Sequence, residues 1–75
     1  MNKEYDKLIG QNIRSIRRKR KLSQEELSAR LQVKGCDITR SALAKIDVGQ
    51  RHLYPDEILF LKEILDVSFD DIFYE

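Results

Sequence analysis

The sequence has no tryptophan, one proline, one cysteine, one histidine and three glycines. Each scarcity closes off a class of protein. A lone cysteine, Cys36, cannot form an internal disulfide, which fits a reducing cytoplasm. One histidine, His52, leaves no paired His and Cys and no metal cluster, and three scattered glycines make no phosphate-cradling loop. The chain is therefore not expected to be an enzyme or to hold a metal or cofactor. It has no run of about 18 apolar residues, so no membrane span is expected. The opening Met-Asn-Lys-Glu-Tyr-Asp is too acidic and polar for a signal peptide. No repeat, low-complexity segment or period-two strand pattern occurs, and 75 residues is the length of one small domain, taken here as 1–75.

What the chain does have is charge, unevenly placed. Residues 1–53 carry thirteen Lys or Arg against six Asp or Glu, and residues 54–75 carry one Lys against seven acids. A net +1 thus conceals a basic end and an acidic end. A basic face attracts polyanions whatever the net charge is.

Helical periodicity runs throughout. Leu8, Ile9, Ile13 and Ile16 make one apolar stripe on a first helix over residues 5–20. Gly10 interrupts it at a cost of about 1 kcal/mol relative to Ala, which suggests close contact with a neighbour; simple tolerance is the alternative. The run Arg17-Arg-Lys-Arg-Lys21 ends this helix, where cations favour its dipole. Arg17 follows Ile13 by four residues and so points inward. Ser23-Gln-Glu-Glu26 is a capping box that starts a second helix over 24–32, with Leu27 and Leu31 inward and Ser28 small beneath a crossing helix. Residues 33–38 form a loop. Pro55 fits the first position of a fourth helix, with Asp56 and Glu57 in its first turn and Ile58, Leu59, Leu61, Ile64 and Leu65 apolar over more than one face. Ser68 caps a short last helix in which Phe69 and Ile72 are expected to close the core. The fold expected is all-α.

The segment Ile38-Thr-Arg-Ser-Ala-Leu-Ala-Lys-Ile-Asp-Val-Gly49 reads as a third helix, about 39–48, with two faces. Leu43 and Ile46 share one side; Arg40, Ser41, Ala44 and Lys45 fall on the other. Thr39 suits the N-cap and Gly49 the left-handed closing residue. The outer face offers two cations, a hydroxyl and a methyl, all able to enter a DNA major groove. Arginine can bond guanine O6 and N7 with two donors, lysine does so less selectively, and the Ala44 methyl can meet a thymine methyl.

Two short helices joined by a turn, the second with polar outward residues, is a helix-turn-helix arrangement, its core here about 23–49. Ile9-Gly-Gln-Asn-Ile-Arg-Ser-Ile-Arg17, Leu22-Ser-Gln-Glu-Glu-Leu27, Arg40-Ser-Ala-Leu-Ala-Lys-Ile-Asp-Val-Gly49 and Asp66-Val-Ser-Phe-Asp-Asp-Ile72 together resemble the phage-repressor/Cro-type, or XRE-family, domain over about residues 8–73. The resemblance implies a five-helix, lambda-repressor-like fold and a DNA-binding regulator. It implies that Gln24 touches a phosphate and braces the third helix, that Arg40, Ser41 and Lys45, with Ala44 beside them, read base edges, and that Gln50 and Arg51 hold phosphates. It implies an Arg17–Asp47 ion pair. Thr39, Arg14 and Lys34 are further phosphate candidates. The sequence departs from the family where a longer loop through Gly35 replaces the tight turn after helix two, and where Asp47 replaces the commoner glutamate.

One such helix reads few base pairs, so a homodimer on a palindromic duplex operator is expected, with Phe73 and Tyr74 as interface candidates. A repressor is the first reading. The alternative is an antitoxin or protein-interaction module of the same fold whose acidic end binds a protein partner. His52 is read as a solvated loop residue, with charging near phosphate as the alternative. Nothing near Cys36 except Lys34 would activate its thiol. Tyr5, Tyr54 and Tyr74 are read as core-edge or interface rings.

Overall fold

Helix ends, more than helix interiors, set how this chain turns. In the computed structural model, which describes residues 3–75, five helices follow one another: α1 Lys3–Lys19, α2 Gln24–Val33, α3 Arg40–Asp47, α4 Pro55–Leu65 and α5 Phe69–Phe73. No strand occurs among the described residues. The first helix starts two residues earlier and ends one sooner than its apolar stripe suggests. The third is shorter by one residue at each end, because Thr39 and Val48 are its caps.

The N-termini are capped by side chains. Ser23 Oγ accepts from the Glu26 N–H and Glu26 accepts in return from the Ser23 N–H, both at 3.0 Å. Ser68 and Asp71 make the same reciprocal pair at the start of α5. Thr39 Oγ1 accepts from the Ala42 N–H at 3.1 Å.

The C-termini close through left-handed residues. After α2, Gly35 (φ 86°) turns the chain, and the N–H groups of Gly35 and Cys36 return to the carbonyls of Gln32 and Leu31. After α3, Gly49 (φ 76°) does the same, with Gln50 donating to Lys45 and Gly49 to Ile46. These paired bonds satisfy carbonyls that a helix end leaves open. Gly35 therefore ends α2 much as a tight-turn glycine would, two residues further on. After α1 and α4 the left-handed position is filled by Lys21 (φ 59°) and Asp66 (φ 55°), which carry a Cβ into a region that favours glycine.

The core is one cluster. Ile13, Leu27, Leu31, Ile38, Leu43, Leu61, Leu65 and Ile72 are fully shielded from solvent. Helix α1 lies against α3 on one flank and α5 on the other, and α2 lies against α3 and α4. Ser28 is buried where α2 meets the loop before α3, and its hydroxyl donates to the Ile38 carbonyl at 2.7 Å.

Gly10 is where α1 crosses the end of α3. A Cβ built there would collide with the Ile46 carbonyl oxygen and lie 3.2 Å from that of Asp47. The interruption in the apolar stripe is thus the closest approach of two helices. Phe69, expected inside, is 44% exposed. Ile72 alone closes that end, while the Phe69 ring lies under the Lys62 ammonium, 5.3 Å from its centroid. No helix is long and apolar enough to cross a membrane among the described residues.

Replacing Gly10 by Ala should force α1 away from α3 and cost about 1–3 kcal/mol. At this chain length that lowers the midpoint of a thermal melt by at least about 4 °C. An unchanged or raised midpoint would show that the crossing can give way freely.

Candidate nucleic-acid interface

Three helices meet around one carboxylate. Asp47, the last residue of α3, is buried, and its Oδ2 accepts from Arg17 Nη2 of α1 at 3.2 Å and from Gln24 Nε2 of α2 at 3.0 Å. Arg17 is buried too, with its side chain 9% exposed, and its Nη1 donates to the Leu22 carbonyl at 2.8 Å. One acid thus fixes the end of α3 to both of its neighbours. The contact is end-on: Arg17 Nε and Asp47 Oδ1 are buried without a protein partner.

With its inner side anchored, α3 presents the other side to solvent. Leu43 and Ile46 are buried, whereas Arg40, Ser41 and Lys45 are exposed and Ala44 is half-buried between them. None of the three exposed groups has a side-chain partner among the described residues, so their donors are free. Thr39 is exposed at the helix start, its hydroxyl proton unused by the cap.

The groove beside α3 is lined by Arg14, Arg18, Ser23, Gln24, Ala44 and Val48, with Arg17 and Asp47 at its base. Its exposed charges are cationic; the one acid is the buried Asp47. Gln24, at the start of α2, lies on its wall with one amide hydrogen and its carbonyl oxygen still available. Gln50 is exposed just past α3.

Two residues expected at phosphates, Arg51 and Lys34, pair with acids of α4. Arg51 makes a two-pronged pair with Glu57, Nη1 to Oε1 at 3.0 Å and Nη2 to Oε2 at 2.9 Å, and also donates to the His52 carbonyl. Its guanidinium lies 5.9 Å from the Tyr54 ring centroid. Burial by itself pushes the Glu57 carboxyl up; the Arg51 guanidinium and the Tyr54 N–H outweigh that and hold it below the usual carboxylate range. The same bond with Glu57 raises Arg51. Arg51 therefore fastens the loop carrying Gln50 to α4. Lys34, the C-cap of α2, pairs with Glu63 at 3.4 Å across the surface where α2 lies against α4, both half-exposed.

The remaining candidates sort clearly. Cys36 is buried, and burial, then Glu57 and Asp56, push its thiol up, away from reactivity. His52 packs edge-on against Tyr54 at 5.1 Å. Tyr5 and Tyr54 are exposed, Tyr74 is 68% exposed and Phe73 half-buried. Asn12, which no local pattern marks, donates to the Ile72 and Tyr74 carbonyls at 2.8 and 2.9 Å and ties the C-terminal segment to α1.

Helices α2 and α3, packed together across a short link, with the free cationic face on the second, have the geometry of a helix-turn-helix. The family model described as Helix-turn-helix matches residues 13–72, most of the chain. This chain belongs to the XRE-type helix-turn-helix family. No curated protein and no solved structure matches it. Family membership makes the domain a DNA-binding regulator, and its five helices are those of the lambda-repressor-like fold.

Two substitutions test the frame of this face. Asp47→Ala leaves Arg17 buried and unpaired and should cost about 3–5 kcal/mol in a denaturant melt; a loss under 1 kcal/mol would place the pair in water. Glu57 behaves differently with pH. Its folded pKa is depressed, so its contribution is present above the unfolded value and is lost as pH falls through the lower folded value. Glu57→Gln should cost about 1–2 kcal/mol near neutrality, reduced because Arg51 keeps partial contact with water. The gap from wild type should narrow as melts are taken further into acid; a constant gap would contradict the role given to that carboxylate.

Proposed function

We propose that this domain binds duplex DNA sequence-specifically, with α3 in the major groove, and represses transcription by occupying its site. The observation that carries this reading is the pairing of free Arg40, Ser41 and Lys45 with the buried Asp47 bonds that stop α3 from moving. Side chains that read bases must be aimed before the duplex arrives, or ordering them costs affinity.

Arg40 stands in the first turn of α3, where its fork can take guanine N7 and O6. Ser41 is adjacent, and Lys45 lies one turn further along the same face. Ala44 supplies apolar contact for a thymine methyl. Gln24, Thr39, Gln50 and Arg14 ring this face and are assigned to phosphates, which fix register without reading sequence. Gln24 keeps a free N–H for that contact while its other N–H holds Asp47. Arg51 acts at one remove, by steadying the loop on which Gln50 sits.

An eight-residue helix is about 12 Å long and meets only a few base pairs. Two copies on a palindrome, with half-sites about 34 Å apart, would supply the rest. The exposed Tyr74 ring beside half-buried Phe73 supports self-association at that end. A second reading draws on Leu59 and Phe69, apolar and near half-exposed among the acids of α4 and α5: that surface suits a protein partner with a basic rim, as in an antitoxin.

Selection of bound sites from a random duplex pool tests the first reading. It should return a two-fold symmetric site. Arg40→Ala should relax preference at one base pair of each half-site, at about 1–3 kcal/mol. Gln50→Ala should weaken all sequences alike. No enrichment from the pool at low salt would turn the assignment toward the protein partner.

A further inference from the structure

The cationic run Arg17–Lys21 is divided by the helix it ends. Arg17 is buried on Asp47. Arg20 turns the other way, its Nε donating to the Leu65 carbonyl at 2.9 Å and its Nη2 to that of Asp66 at 3.2 Å. Lys19 borders the cleft that holds Asp70 and Asp71 of α5. Arg18 is the exposed residue of the run on the groove beside α3, where Arg17 lies at the base, and Arg14 joins it there.

Gln11, Arg14 and Arg18 recur at three- and four-residue steps and so form one stripe. With Ser15 and Lys19 they also line a shallow concavity on α1 that carries no acid; Gln11, at its end, borders a second concavity with Glu4 and Glu75. Neither arginine has a carboxylate partner among the described residues. Like charges four apart destabilise a helix by a few tenths of a kcal/mol, and here neither side chain is paired with any acid among the described residues. An uncompensated arginine row continuous with a DNA-reading face fits one partner chemistry, the phosphodiester backbone.

We infer that Arg18 and Gln11, with Arg14, form a second phosphate-binding track on α1, flanking the bases that α3 reads. The inference rests on the DNA-binding reading above. The track orients the domain and carries sequence-independent affinity, while α3 selects the site. From Gln11 to Arg18 it runs about 10 Å along the helix, room for more than one phosphate of a strand.

The test measures affinity for one long mixed-sequence duplex over a series of salt concentrations. The proteins are wild type, Arg18→Ala, Gln11→Ala, the pair Arg14→Ala/Arg18→Ala, and Arg30→Ala. Arg30 is an exposed cation on α2, beside Val33 and Lys34 and away from the stripe. Thermal melts confirm that each variant folds. Each arginine removed from the track should lower the slope of log affinity against log salt by about 0.9. Gln11→Ala should weaken binding without changing the slope, and Arg30→Ala should change neither. Wild-type slopes in Arg18→Ala, or an equal loss in Arg30→Ala, would overturn the track and leave the α3 reading intact. Failure of the wild type to hold the duplex would overturn both.

Discussion

Everything on the DNA-facing side depends on a carboxylate kept out of water. Asp47 is nearly inaccessible, and its Oδ2 joins α1 through Arg17 and α2 through Gln24. Burying such a pair does not by itself stabilise a fold, since desolvation opposes the Coulomb attraction. Directional bonds from one oxygen to two helices, together with the packing of Leu43 and Ile46, define where the end of α3 sits. Gly10, which lets α1 sit directly on the carbonyls of Ile46 and Asp47, serves the same end by steric means.

A second charge pair governs the loop after α3. Arg51 and Glu57 join that loop to the start of α4, and Glu57 also accepts the Tyr54 N–H. The two pairs divide the work: one holds the reading helix, the other the segment that follows it. Among the cations left outside both pairs, Arg14, Arg18, Arg40 and Lys45 lie on or beside the α3 face.

Most of the fold is legible in the residues because its determinants are local. The Ser23–Glu26 and Ser68–Asp71 caps, the left-handed Gly35 and Gly49, and the spacing that turns Arg17 inward all act within a turn or so of chain. The site is legible in part for the same reason: Arg40, Ser41 and Lys45 follow from the helical period once Leu43 and Ile46 are inside. Periodicity does not show the bonds between distant segments; of these, the family resemblance implies only Arg17–Asp47 and the bracing by Gln24. Arg51 and Lys34 look like free cations until α4 supplies Glu57 and Glu63. Asn12 meets carbonyls some sixty positions away, Arg20 some forty-five. Phe69 has core chemistry, yet Ile72 is the residue of α5 that is buried, and the Phe69 ring lies at the surface under Lys62. Such partners depend on how helices pack, which periodicity does not encode.

The most direct measurement is a backbone amide NMR titration of the whole chain with a mixed-sequence duplex at low salt. Shift changes should concentrate on Thr39–Lys45, at Gln24 and along the adjoining side of α1, with α4 and α5 largely still. Changes centred on α4 and α5, or no change anywhere, would contradict it.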